Sequence, residues 1–145
     1  MVQISRTITV TADPSAVYAY LSDFTTSEEW DAGSLETTRV EGSGGVGTRY
    51  HNRSRFRGRE TELTYVTVDL VPDRRVVMRG ENATVRVLDT MSIEPGPDGH
   101  GTRLVYEADF TFTGLAKLAT PFVRGSLIRL GDDTEETLRG ALDRL

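Results

Sequence analysis

The chain has 145 residues, 17 basic against 22 acidic, a formal net charge of −5 and no cysteine. That length fits one domain over residues 1–145 with a core needing no cross-links, while the missing thiols exclude disulfides, thiolate catalysis and cysteine-built zinc sites. The acidic balance argues against general nucleic-acid affinity, and no apolar run approaches the roughly 18 residues of a membrane span.

Residues 1–5 lack the apolar stretch of a signal peptide, so a cytoplasmic location without stable membrane insertion is the expectation. Residues 2–11 then alternate, with Ile4, Ile8 and Val10 on one face and Ser5, Thr7 and Thr9 on the other. Arg6 fits the inner face less well. This pattern predicts a strand rich in β-branched residues. Asp13-Pro14 reads as a helix start, with Asp13 at the N-cap and Pro14 in the first turn. Val17, Tyr18 and Leu21 form that helix's apolar face. A second short helix is expected over residues 27–30.

A strand is predicted at about residues 35–41, followed by a glycine-rich turn at residues 42–45. No Lys-Ser/Thr pair follows those glycines, so they do not make a phosphate loop. Residues 46–56 and 60–70 read as strands joined by a tight turn at Arg57-Gly58. Further strands are expected at 75–80, 83–93 and 102–112, the last two joined by a loop over residues 95–99. From residue 115 to 145 the apolar period changes to three and four, which predicts one long helix. Pro121 is placed to kink or restart it. Gly125 and Gly131 each cost about 1 kcal/mol against alanine in a helix interior. Either the helix is irregular there or something packs close to its backbone.

The Arg57-Gly58 turn sets a register. It places Arg55 opposite Glu60, Arg53 opposite Glu62, Tyr50 opposite Tyr65 and Asn52 opposite Leu63. The charged pairs define a solvated outer face with Arg49 and His51, so His51 is not nominated as a base. The inner face then carries Thr48, Tyr50, Asn52, Ser54 and Phe56. On later strands Val85, Val87, Asp89, Met91 and Ile93 share one face, and Leu104, Tyr106, Ala108, Phe110 and Phe112 share another.

This inner set mixes apolar groups with Tyr50, Asn52, Ser54, Tyr65, Asp89 and Tyr106. Each unpaired polar group buried in a solid core costs about 1–3 kcal/mol. Such a collection points to an internal cavity, unless the polar groups bond one another. The residues expected to line it are Tyr50, Asn52, Tyr65, Met91, Tyr106, Phe110 and Phe122. Asp89 is the candidate for proton transfer, since desolvation raises a carboxyl pKa. No metal triad and no nucleophile-histidine arrangement is legible.

Five segments carry a resemblance. They are Asp13-Pro14-x-x-Val17-Tyr18-x-x-Leu21 with Trp30 following, Gly45-Val46-Gly47-Thr48-Arg49-Tyr50, Pro72-x-Arg74-Arg75-Val76-Val77, Asp89-Thr90-x-x-Ile93-Glu94-Pro95, and Gly101-Thr102-Arg103-Leu104-x-Tyr106. In this order and spacing the chain resembles the START/Bet v1-like (SRPBCC) superfamily, in particular the bacterial polyketide cyclase/dehydrase and lipid-transport family. The resemblance implies an α+β helix-grip fold, a curved antiparallel sheet of about seven strands around a long C-terminal helix. It also implies no cofactor and a small hydrophobic ligand, polyketide- or lipid-like. Three readings follow: a ligand-binding protein, a cyclase or aromatase acting on a polyketide-like chain, and an interaction protein with a residual cavity. A homodimer is compatible with each.

Overall fold

A computed structural model describes residues 1–145. The chain starts with β1 (Val2–Val10) and then α1 (Pro14–Ser22), a single 3-10 turn at Phe24–Thr26, and α2 (Ser27–Trp30). Six strands follow: β2 (Ser34–Glu41), β3 (Arg49–Phe56), β4 (Arg59–Val71), β5 (Arg75–Glu81), β6 (Val85–Pro95) and β7 (Thr102–Phe112). The chain ends on α3 (Thr120–Asp143). All seven strands join one antiparallel sheet in the order β1-β7-β6-β5-β4-β3-β2. The first strand pairs with the last, so the chain closes one edge with its two most distant strands. The sheet packs on α3 from one face, and α1 and α2 fill the concave side next to it. This is the expected helix-grip arrangement.

The β3–β4 hairpin follows the register read from its turn. Arg57 and Gly58 both have positive φ, 54° and 78°, the geometry of a two-residue primed turn. Tyr50 faces Tyr65, Asn52 faces Leu63 and Arg55 faces Glu60. The charged outer face is rearranged from the simple cross-strand pairs. Glu60 takes both Arg53 at 3.2 Å and Arg55 at 3.4 Å, and Glu62 faces the His51 imidazole at 3.4 Å. Exposed pairs of this kind contribute little to stability.

Three expectations need correction. The long helix begins at Thr120 and has 24 residues, a length of about 36 Å. Residues Gly114–Ala119 form a 3-10 segment instead. Pro121 lies in the first turn of α3, where its missing N–H costs nothing, and so restarts the helix after the 3-10 segment, the second of its two expected roles. Phe122 is 77% exposed and lines no interior. The buried stripe of α3 runs through Val123, Leu127, Gly131, Thr134, Leu138, Ala141 and Leu142. Phe122 stands one residue off that stripe, about 100° around the helix, and Leu115 and Leu118 are exposed beside it. Last, Asp13 occupies the N-cap position but makes no side-chain capping bond.

Gly131 does mark a close approach. A β-carbon there would meet Cγ2 of Ile4 at 2.6 Å and the Arg6 guanidinium at 3.0 Å. Arg6 leaves the inner face of β1 to reach Asp132 at 2.8 Å and Glu135 at 3.5 Å on α3. That explains a basic residue within an otherwise apolar alternation. No atom lies within 4 Å of the corresponding position at Gly125.

Candidate functional site: a cavity with two carboxyls

The polar residues of the inner face fall into two groups. The first is a closed network under α2. The Asn52 amide donates to Ser34 Oγ at 3.0 Å and to Thr37 Oγ1 at 2.8 Å. Its carbonyl oxygen accepts from the Ser54 hydroxyl, and Ser27 Oγ and Thr37 Oγ1 share a hydrogen bond at 2.7 Å. Asn52 is fully buried and its donors are satisfied by the protein. Tyr50 belongs to the same end, packed edge-on against Phe24 at 5.8 Å between ring centres. Neither residue lines the cavity described next. Met91, buried opposite Tyr106 in the β6–β7 ladder, does not line it either.

The second group surrounds a cavity of about 110 Å³ between the sheet and α3. β3 supplies Ser54, Arg55 and Phe56, and β4 supplies Thr61, Leu63 and Tyr65. Val85, Val87 and Asp89 come from β6, and Tyr106, Phe110 and Phe112 from β7. Leu127 and Leu130 of α3 form the opposing wall, and the turn after α2 brings in Asp31 and Gly33. β5 contributes no side chain to the lining, and the Tyr65 ring lies over it at Gly80. A β-carbon on Gly80, the cross-strand partner of Tyr65, would stand 2.5 Å from the Tyr65 ring. The interior is therefore neither collapsed nor wholly apolar. Of the expected lining residues, the structure brings together Tyr65, Tyr106 and Phe110, with the proton-transfer candidate Asp89 beside them. It separates Tyr50, Asn52, Met91 and Phe122 from them.

Asp89 is 4% exposed. The Tyr106 hydroxyl, at 3.5 Å from Oδ1, is its sole hydrogen-bond donor in the protein. Burial drives its pKa well above the carboxylate range, the charge of Asp31 adds to the shift, and the Tyr106 bond opposes it. The Asp89 carboxyl thus favours its protonated form. Burial also raises both Tyr65 and Tyr106 well above the phenol range, reinforced by the charges of Asp89 and Asp31. The Trp30 ring meets that of Tyr106 edge-on at 6.0 Å, and Phe24 packs on Tyr65 at 4.5 Å. These contacts hold both phenols in place.

Asp31 was not singled out from the sequence. Oδ1 accepts from the Gly33 N–H at 3.0 Å and Oδ2 from the Ser34 hydroxyl at 3.0 Å. Burial raises its pKa, while the bonds from Gly33 and Ser34 and the nearby Thr134 hydroxyl pull the other way. Asp31 keeps part of its surface accessible. The two carboxyls therefore differ: Asp31 is well supplied with donors for its ionised form, and Asp89 is not. The Asp31-x-Gly33-Ser34 spacing signals an Asx turn. Only the packing of α2 on α3 turns it toward the cavity.

The cavity opens past Gly33, Arg55, Phe56 and Leu130 into an outer cleft of about 570 Å³. Arg57, Ser126, Arg129 and Asp133 line that cleft. An inner chamber of this size suits one ring. An engineered cavity of about 150 Å³ holds benzene, so a larger ligand must extend into the cleft or displace the wall. No group of three or more His, Cys, Asp or Glu side chains is arranged to hold a metal ion. No helix is long and apolar enough to cross a membrane.

The model of the family described as "Polyketide cyclase / dehydrase and lipid transport" matches residues 1–145. Among solved structures, the aromatase/cyclase Zhui from Streptomyces sp. R1128 superposes with a TM-score of 0.81 at 17% identity, covering 98% of this chain and 93% of that one. A START superfamily protein from Mycobacterium smegmatis gives 0.77 at 14% identity, with 98% and 97% covered. The di-domain aromatase/cyclase BexL of the BE-7585A biosynthetic pathway gives 0.71 at 18% identity, and the chain spans half of its length. These likenesses establish a common fold. No curated protein sequence matches the chain.

Proposed function

From membership of this chain in the polyketide cyclase/dehydrase and lipid transport family, we propose that it takes up a small, largely apolar molecule in the cavity between sheet and α3. The observation that carries this reading is the chamber itself, apolar on most of its wall and ending on Tyr65, Asp89, Tyr106 and Asp31. Small-molecule sites have this composition, an apolar lining with a few placed polar groups that fix orientation. Native mass spectrometry of freshly purified protein tests it. A retained ligand, or uptake of a one-ring apolar molecule in stoichiometric amount, supports the reading. Failure to bind any apolar probe overturns it.

The inward carboxyls favour a second reading, conversion of the bound molecule by acid–base chemistry. For loss of water from a β-hydroxy carbonyl compound, ionised Asp31 would take the proton from the carbon next to the carbonyl. The C–O bond would then break, and the hydroxyl would leave as water with the proton held by Asp89. The two carboxyls exchange protonation states in that step, and a proton transfer through solvent at the mouth restores them. Positioned acids and bases contribute about a hundredfold or more each. On this reading Asp89→Asn keeps affinity for an uncharged carbonyl substrate and loses turnover by about that factor. Unchanged turnover in the folded variant removes Asp89 from the chemistry.

A further inference from the structure

The cavity is chemically lopsided. Five aromatic side chains line it, Phe56, Tyr65, Tyr106, Phe110 and Phe112, together with the two carboxyls. Arg55 is the one cation among its lining residues. It lies at the mouth, shared with the outer cleft, and its guanidinium pairs with Glu60 at 3.4 Å. Tyr65 is 5% exposed, and its hydroxyl makes no hydrogen bond to the protein. Asp89, equally buried, has one long bond. The groups left with unused capacity are the Asp89 carboxyl and the Tyr65 hydroxyl, and each has oxygen lone pairs free to accept. Aromatic faces attract cations, and more strongly where water is excluded. Carboxylates repel anions and bind N–H donors of positive charge with short, strong hydrogen bonds.

We propose that the cavity selects a small cyclic or aromatic molecule bearing a protonated amine, whose ammonium group sits against Asp89 and the Tyr65 hydroxyl, and that it rejects the equivalent carboxylate. This rests on the reading of the cavity as the ligand site and names the class of ligand. An ammonium supplies what this end of the chamber lacks. Its N–H groups find acceptors in Asp89, in Tyr65 and in the free lone pairs of Asp31, and its apolar body meets Leu63, Val87 and Leu127.

The amine stabilises the ionised form of Asp89, whose carboxyl pKa is pushed upward by burial, so amine binding is coupled to loss of that proton. Affinity for the amine therefore rises with pH until that carboxyl ionises without help, and affinity for an uncharged isostere does not change. The other groups that face Asp89 are accounted for. Asp31 in the turn after α2, Tyr65 on β4, and Tyr106 and Asp109 on β7 all act on the local charge balance. Arg55 of β3 stands at the mouth, and α3 presents only Leu127 and Leu130 to the chamber.

Three probes that differ at one group decide it: benzylamine, ethylbenzene and benzoate, titrated by calorimetry into the intact chain near neutral pH. Benzylamine is expected to bind about tenfold or more tighter than ethylbenzene, the scale of one charge-assisted contact, and benzoate more weakly than both. Asp89→Asn is expected to erase the difference between amine and hydrocarbon. Tyr65→Phe, which removes one oxygen and keeps the ring, is expected to lower benzylamine affinity severalfold relative to ethylbenzene. It serves as the milder probe if the Asp89 variant fails to fold. Ethylbenzene or benzoate binding as tightly as benzylamine overturns the proposed selectivity and leaves the cavity reading standing. Absence of binding by all three overturns both.

Discussion

Tyr65 and Gly80 face one another across β4 and β5, and the Tyr65 ring occupies the space that a side chain at position 80 would need. A β-carbon there would come within 2.5 Å of Cε1 and Cζ of the ring. The missing side chain thus lets the aromatic ring lie against the β5 backbone at position 80. It also fixes how deep the cavity is on the β5 side. Gly80→Ala is expected to push Tyr65 toward Asp89, shrink the chamber and cost about 1–3 kcal/mol, as overpacking does in a close-packed interior. Urea unfolding together with probe binding checks this. An unchanged unfolding midpoint with intact probe binding would show that the ring can relocate freely.

Asp89 has a consequence for stability against pH. Its carboxyl is raised well above its usual range in the folded chain, and an unfolded aspartate titrates near 3.9. The folded protein therefore holds the proton more tightly than the unfolded one does. That contribution to stability is fully present below about pH 4, the unfolded value, and is lost progressively as the pH rises toward the folded value. Asp89→Asn carries no such proton. It should unfold at higher denaturant than the parent at neutral pH, and the gap should close toward pH 4. Carboxyl titration by NMR is the direct measurement. An Asp89 signal titrating near the reference value would contradict both the pH dependence and the acid–base reading of the cavity.

Phe110 lies on the cavity wall with part of its surface accessible. Placing a carboxylate there adds a third carboxyl beside Asp31 and Asp89 and sets a charge against the apolar wall. In Phe110→Glu, binding of a hydrophobic fluorescent probe should fall by at least about tenfold while the circular dichroism of the fold survives. Probe binding that persists in the folded variant would put the apolar site elsewhere, for instance on the exposed side chains of Leu115, Leu118 and Phe122.

The two glycines inside α3 should respond in opposite directions. At Gly125 nothing stands within 4 Å of an added β-carbon, so Gly125→Ala should stabilise the chain by up to about 1 kcal/mol through helix propensity. At Gly131 the same methyl meets Ile4 and Arg6. There the propensity gain is offset by a clash across the β1–α3 contact, and a net loss of about 1–3 kcal/mol is expected. Thermal unfolding of the pair separates the two effects. Equal shifts at both positions would mean that β1 yields to α3 without strain.

Much of this molecule is legible in the sequence, for a local reason. Strand alternation, the primed turn at Arg57-Gly58 and the three-and-four spacing of α3 are each set by a few neighbouring residues. They suffice to place Tyr65, Asp89, Tyr106 and Phe110 on the concave face and to set Arg55 against Glu60. Alternation tells which face a side chain occupies, but not what covers that face. Phe24 and α2 fill one half of the concavity, so Tyr50 and Asn52 lie in a packed core and a closed hydrogen-bond network while Tyr65 borders the cavity. Phe122 has the right spacing for the apolar stripe of a helix starting at residue 115. The helix starts at Thr120, and the stripe that meets β1 passes through Val123 instead. Asp31 has no periodic pattern at all. Its place beside Asp89 depends on α2 docking against α3, a contact between residues about 100 positions apart, such as Thr137 with the Trp30 carbonyl at 2.6 Å. The pairing of a donor-rich carboxylate with a donor-poor one is thus a property of tertiary packing. The sequence carries the groups, and the long-range closure of α2 on α3 decides that they share one cavity.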